Sequence, residues 1–201
     1  MTPNTLLFDL GGVVLSNGWD HEQRARTAAR FGLDPAALEA RHARLVVPLE
    51  TGQLRLDDYL AQVVFDVPRP FTLGELTDFI FSCSQPNPET IDLLGELASA
   101  GRLRLATLNN EGRELNQYRI AWFGLRRYFR VFCSSCYLGV RKPDPEIYRR
   151  ALGILQADAA ECLFIDDREE NLAAPRALGI ASLQFLSAAQ LRDQLGQRGL
   201  L

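Results

Sequence analysis

The chain predicts an α/β protein built on a doubly wound parallel sheet, with a helical segment inserted after the first strand. Three observations carry this. Short apolar runs recur, and each stops abruptly at polar residues: Leu6-Leu7-Phe8 at Asp9, Leu105-Ala106-Thr107-Leu108 at Asn109-Asn110, and Leu163-Phe164-Ile165 at Asp166-Asp167. Runs of this length suit buried strands. From Ala100 onward such runs alternate with stretches of helical spacing, as in βα units. Between the first run and the rest, residues from about Trp19 to Ser84 carry helical spacing and no strand-like segment, too long for a plain crossover.

Taken in order, the first strand ends at Asp9 and runs into Leu10-Gly11-Gly12, a tight turn. Helices are predicted over Glu22 to Phe31, Pro35 to Val46, Leu56 to Val64 and Leu73 to Cys83. Leu33-Asp34-Pro35, Pro48, Gly52 and the Pro68/Pro70 stretch supply the breaks. Asn87-Pro88-Glu89 starts the helix that returns to the sheet, and Gly101 precedes the second strand. Glu111 to Trp122 is helical, with Leu115, Tyr118 and Trp122 on one side, and Tyr128 to Cys133 is a strand. Asp144 caps the next helix, Pro145 takes its first position, and Ile147, Ala151 and Ile154 form its apolar stripe. A helix from Glu169 to Leu178, stopped by Gly179, follows the strand ending at Ile165. Ile180 to Phe185 is the last strand, and Ser187 caps a closing helix. The expected division is a core of residues 1–17 and 86–201 and a helical cap of residues 18–85.

Composition narrows the function. The chain is 47% hydrophobic and 23% charged, as in ordinary globular proteins. A net charge of −3 leaves no basic footprint for nucleic acid or an anionic membrane. No apolar run approaches the length of a bilayer span, and the first residues lack a secretory pattern, so a cytoplasmic location is expected. The four cysteines read as free thiols. Cys133-Ser134-Ser135-Cys136 has redox spacing, but it follows a strand and enters a loop rather than opening a helix.

In an open α/β sheet, ligands sit beyond the carboxyl ends of the strands, so the polar residues that end these runs are expected on one rim. Asp9 beside exposed backbone N–H groups can hold an anion's oxygen while attacking phosphorus. Its plainer reading is a turn cap. Asp166 and Asp167 would repel each other if buried, and a hard cation such as Mg²⁺ resolves this while keeping room for a phosphate. Capping of the next helix is the alternative. Lys142, held by Pro143, can point an ammonium at a phosphoryl oxygen, or simply be a solvated lysine. Asn109 and Asn110 can donate amide hydrogens, or form a polar turn.

Together these residues strongly resemble the haloacid dehalogenase-like hydrolases, in the phosphatase branch whose helical cap lies between the first two motifs. Phe8-Asp9-Leu10-Gly11-Gly12-Val13 resembles the first motif, Leu108-Asn109-Asn110 the second, Leu138-Gly139-Val140-Arg141-Lys142-Pro143-Asp144-Pro145-Glu146-Ile147-Tyr148 the third, and Phe164-Ile165-Asp166-Asp167-Arg168-Glu169-Glu170-Asn171 the fourth. Leu49-Glu50-Thr51-Gly52-Gln53-Leu54 resembles a turn in such caps. The resemblance implies Mg²⁺-dependent hydrolysis of a small phosphorylated metabolite through an aspartyl-phosphate. Asp9 is the expected nucleophile. Asp9, the Gly11 carbonyl and Asp167 would hold the metal, with Asp166 acting through a water. Lys142, Asn109, Asn110 and the Gly12 backbone would hold the phosphoryl oxygens. Two positions depart from the pattern. Gly11 stands where the family has an acid–base Asp, and Asn109 stands where it has Ser or Thr, with Thr107 as a possible substitute. Without the acid at position 11, good leaving groups should turn over faster; Asp20 and His21 are the nearest other proton donors. Trp19, His21, Arg41, His42 and Arg44 are possible cap contacts. A metal-free 2-haloacid dehalogenase and a phosphate-binding protein without turnover are the rival readings.

Overall fold

The computed structural model describes residues 2–201. Thr5–Phe8 forms β1, and four helices follow it: α1 (His21–Phe31), α2 (Pro35–Glu50), α3 (Leu56–Val63) and α4 (Leu73–Ser82). Helix α5 (Pro88–Ala100) leads back to β2 (Arg104–Asn109). Then come α6 (Arg113–Trp122), β3 (Val131–Ser134), the one-turn α7 (Ser135–Leu138), α8 (Pro145–Leu155), β4 (Cys162–Asp166), α9 (Ala173–Ala177), β5 (Ala181–Gln184) and α10 (Ala188–Gln197). The five strands form one parallel sheet in the order β3-β2-β1-β4-β5, so the chain winds outward both ways from β1. This is the predicted doubly wound sheet with a helical insertion.

Alternation along each strand fills both faces. Leu6 and Phe8 of β1, with Leu163 and Ile165 of β4, pack on α5, α6 and α10 through Leu93, Leu94, Ile120 and Leu191. Leu7, Ala106, Leu108 and Phe164 face the other way, onto Ile147, Tyr148 and Ala151 of α8. The insert has its own core around Leu38, Tyr59, Leu60, Leu76 and Ile80, which reaches the sheet domain at Leu115 of α6. The chain enters and leaves the insert side by side: Ser16 N–H donates to the Gln85 carbonyl at 2.7 Å, and Gln85 N–H to Ser16 Oγ at 3.0 Å.

Four segments differ from expectation, the first three for a local reason. Helix α2 continues to Glu50, past Pro48. Proline sits in the last turn, where it forfeits one bond, and its carbonyl accepts the N–H groups of Gln53 and Leu54 that close the helix. The expected helix over 169–178 divides into a 3₁₀ turn at Glu169–Asn171 and α9. Pro175 has no N–H for the carbonyl of Asn171, and that carbonyl accepts the Tyr148 hydroxyl at 2.6 Å instead. Strand β3 begins at Val131 because Tyr128 and Phe129 both donate back to the Leu125 carbonyl. The Cys133–Cys136 segment opens a short helix rather than a loop. Both thiols are buried and unpaired, and burial pushes each up to about 12, away from thiolate chemistry. Among the described residues, no helix is long and apolar enough to cross a membrane.

Candidate active site

Strand register brings the acids together. Phe8 pairs with Ile165, so Asp9 and Asp166 end adjacent parallel strands, and Asp9 N–H donates to the Ile165 carbonyl at 2.8 Å. Carboxylate oxygens of Asp9, Asp166 and Asp167 lie within 4.8 Å of one another. Asn109 ends β2 on the other side of β1, pairing with Ser134 of β3. Lys142 arrives from the loop between α7 and α8.

Lys142 is the electrostatic centre of the group. Its ammonium, 2% exposed, lies 3.0 Å from Asp9 Oδ1 and 2.5 Å from Asp166 Oδ2. Burial opposes its charge, but the carboxylates of Asp9 and Asp166 hold its pKa above the ordinary value. Two of its three protons are thereby engaged and one remains for a ligand. Asn110 fixes this loop by both amide atoms: Nδ2 donates to the Lys142 carbonyl at 2.9 Å and Oδ1 accepts from Lys142 N–H at 2.8 Å. Asn110 thus positions Lys142, and it lines the cavity with a second Nδ2 hydrogen to spare.

Asp166 is fully buried and supplied by the protein. Besides Lys142, it accepts from Arg168 N–H at 2.9 Å and from Asn171 Nδ2 at 2.9 and 3.1 Å. Asp167 is the opposite case. Its Oδ1 is buried with no hydrogen-bond partner, and burial, then Asp166, raise its pKa. Burial likewise pushes Asp9 up to about 7, Lys142 pulling against it and Asp166 and Asp167 adding to it. Three carboxylates gather around one ammonium, an excess of acid that raises the pKa of both Asp9 and Asp167. An orphaned oxygen in such a cluster fits a divalent cation. The Gly11 carbonyl accepts none of the hydrogen bonds of its turn, so it too is available to a cation.

Gly12 has a different task from the one expected. Its N–H donates to the Leu15 carbonyl at 2.8 Å, so it is not free for a substrate. With φ at +74°, it lies where any Cβ would overlap the Asp167 carboxylate, and glycine makes room for that acid. Asn109 is buried in a closed triad: Nδ2 donates to Asn116 Oδ1 at 3.1 Å, and Ser134 Oγ lies 3.0 Å from Asn109 Oδ1. One Nδ2 hydrogen remains. Thr107 is buried in the sheet and does not line the cavity between this rim and the insert.

A cavity of about 380 Å³ spans this rim and the insert, a volume suited to a small metabolite. Asp9, Gly11, Asn109, Asn110 and Lys142 line it from the sheet side, and Trp19, His21, His42 and Glu50 from the insert side. Arg41 turns away to Asp66 and the Val63 carbonyl, and Arg44 is not in the lining. Asp20 caps α1 by accepting from Gln23 N–H, and His21 is an exposed partner of Glu39. Trp19 has φ at +53°, which is costly for an aromatic residue. Its N–H donates to Gln23 Oε1 and its Nε1–H to the Tyr59 hydroxyl at 2.8 Å. The Tyr59 hydroxyl also lies 2.7 Å from His42 Nδ1. Burial pushes the His42 pKa down to about 4.

Several of these residues escaped the sequence reading as site residues: Asn171, Asn116, Ser134 and the buried Glu111–Arg119 pair, which anchors the Ser16 carbonyl. Only Asn171 carried a signal, since it stands at the end of the fourth motif.

Comparison with known proteins agrees with this geometry. The chain is 28% identical to flavin mononucleotide hydrolase 1 of Arabidopsis thaliana, over 97% of this chain and 77% of that protein. It is 32% identical to the sesquiterpene phosphatase astK of Aspergillus oryzae, over 74% of this chain and 76% of that protein. Its fold matches the HAD family enzyme bt-2542 of Bacteroides thetaiotaomicron in a magnesium complex, with a TM-score of 0.79 and 21% identity, over 92% of this chain and 94% of that one. The haloacid dehalogenase-like hydrolase family itself matches across residues 3–179, nearly the whole α/β frame with its insertion, and the chain belongs to that family.

Proposed function

We propose that this protein is a Mg²⁺-dependent phosphatase of small phosphomonoesters, working through an aspartyl-phosphate on Asp9. The observation that carries the reading is the Lys142 ammonium held between Asp9 and Asp166, beside the unpartnered oxygen of Asp167. The two relatives named above are a flavin mononucleotide hydrolase and a sesquiterpene phosphatase, and both names agree with it.

Asp9, the Gly11 carbonyl and Asp167 would hold Mg²⁺, with Asp166 reaching it through water while orienting Lys142. When bound, the cation neutralises the acidic cluster and the phosphoryl charge. The remaining work belongs to the chain. Asp9 forms the new bond to phosphorus as the ester oxygen leaves, and water then releases phosphate. The third proton of Lys142 and the free amide hydrogen of Asn109 stabilise charge on the phosphoryl oxygens. Residues 18–85 act as a cap that closes over the leaving group, with residues 1–17 and 86–201 as the catalytic core.

Gly11 supplies no proton at the nucleophile loop, and general acid help is worth about 10²- to 10⁴-fold. Aryl, acyl or anomeric phosphates should therefore turn over faster than simple alkyl phosphates. The test is phosphate release over a panel of small phosphoesters with Mg²⁺, with Asp9→Asn as control. Equal rates on p-nitrophenyl phosphate and glycerol phosphate would remove the leaving-group argument. Halide release from a 2-haloacid in EDTA would favour a dehalogenase. Metal-dependent phosphate binding with no ester hydrolysed would favour a binding protein.

A further inference from the structure

We propose that Glu50, carried to the cavity by the insert, donates the proton to the leaving oxygen that the nucleophile loop cannot supply at Gly11. This rests on the phosphatase reading above.

Glu50 is the last residue of α2 and lines the same cavity as Asp9 and Lys142. A carboxylate there is disfavoured three times. It lies at the negative end of the helix dipole. Its Oε2 is buried without a hydrogen bond, because Arg141 Nη1, 3.1 Å away, is off the line of donation. Burial raises its pKa against the pull of Arg141, with Glu111 adding to the rise. One proton on Glu50 relieves all three costs and creates an O–H donor. Its place is fixed by the sequence that follows: Gly52, with φ at +73°, packs so closely that a Cβ would overlap the Cys136 carbonyl. Arg141 immediately precedes Lys142, so the same loop holds Glu50 and the ammonium.

Of the other acids in the lining, Glu170 is solvent-exposed, where nothing holds a proton on it, and the rest are committed elsewhere. Asp20 caps α1, and Glu111 is locked in its ion pair with Arg119. In the proposed step, an Asp9 oxygen forms a bond to phosphorus while the ester P–O bond breaks. The leaving oxygen takes the Glu50 proton and departs as the alcohol. The Glu50 carboxylate then takes a proton from the water that attacks the aspartyl-phosphate, which releases phosphate and restores both acids. A donor on the cap is placed less tightly than one on the nucleophile loop, so it narrows the leaving-group preference without abolishing it.

The experiment compares glycerol phosphate with p-nitrophenyl phosphate in wild type, Glu50→Gln and Gly11→Asp/Glu50→Gln, all with Mg²⁺. The alkyl-to-aryl rate ratio should fall at least about 100-fold in Glu50→Gln, because only the alkyl group needs the proton. An aspartate at 11 should then recover alkyl turnover at least about tenfold, since a Cβ at that position overlaps nothing: its nearest neighbours are Asn17 Oδ1 at 3.2 Å and backbone atoms of Asn17 and Gly18 at 3.6 and 3.8 Å. An unchanged ratio, with both substrates slowed together, or no recovery in the double variant, overturns the role of Glu50 while Asp9-dependent phosphate release still supports the phosphatase reading. A wild type that hydrolyses no ester overturns both.

Discussion

Replacing Lys142 with methionine keeps the length of the side chain and removes its charge, which isolates the electrostatic role of the ammonium. In the wild type it sits 3.0 Å from Asp9 and 2.5 Å from Asp166, itself 2% exposed. Removing one partner of a buried ion pair costs about 3–5 kcal/mol. Two features place this case at the low end. Asp9 can take up a proton near neutral pH, because burial already pushes it up to about 7. Asp166, though fully buried, keeps the Arg168 N–H and Asn171 Nδ2. A loss of about 3 kcal/mol in a chain of this size lowers the thermal midpoint by about 6–12 °C. Unfolding followed by circular dichroism at pH 7.5 in EDTA reads this directly. Lys142→Met/Asp166→Asn should recover more than half of the loss, since the stranded charge is gone. A midpoint within about 2 °C of wild type, or a double variant below the single one, would refute the claim that Lys142 compensates these buried acids.

The same acids make metal-free stability depend on pH. The folded pKa of Asp9 is raised above its unfolded value, so the folded state binds the extra proton and Asp9 lowers stability as pH climbs from about 4 through about 7. Mg²⁺ should therefore raise the thermal midpoint more at pH 8 than at pH 5.5, and an equal rise at both would contradict this linkage. His42 has the opposite sign: its pKa is depressed to about 4, so its contribution is present above about 6.5 and lost as pH falls toward 4. Tyr59→Phe removes the hydroxyl that contacts His42 Nδ1 and accepts Trp19 Nε1–H. It should cost about 1–3 kcal/mol by denaturant unfolding and raise the His42 pKa in an NMR titration; an unmoved His42 would show that Tyr59 does not hold it neutral.

Most of the frame was legible in the chain. Apolar runs ending in Asp9, Asn109 and Asp166 read as strands because a strand buried on both faces needs an unbroken apolar segment. The four helices of the insert read from their spacing and breaks. Element ends were less legible where a side chain or proline competed with the helix, as at Pro48 and Pro175. The site was legible as a set of residue types and not as a division of labour. Asn110, Gly12 and Asp166 were all expected to face a ligand or metal. Their hydrogen bonds show the first fixing the Lys142 loop, the second making room for Asp167, and the third, still one of the three clustered carboxylates, already held by Arg168 and Asn171.

The sequence by itself determined the alternation of strand and helix, the position of the insertion and the acids at the strand ends, because these depend on local periodicity and on residue chemistry. Tertiary structure decided which donors were already spent and which oxygen was left without one. Hydrogen-bond saturation is a contest among groups far apart in the chain: Asn110 meets Lys142, Asp166 meets Asn171, and Glu50 reaches the cavity only when α2 docks beside Arg141. No local pattern records the outcome of that contest, because it is settled by packing.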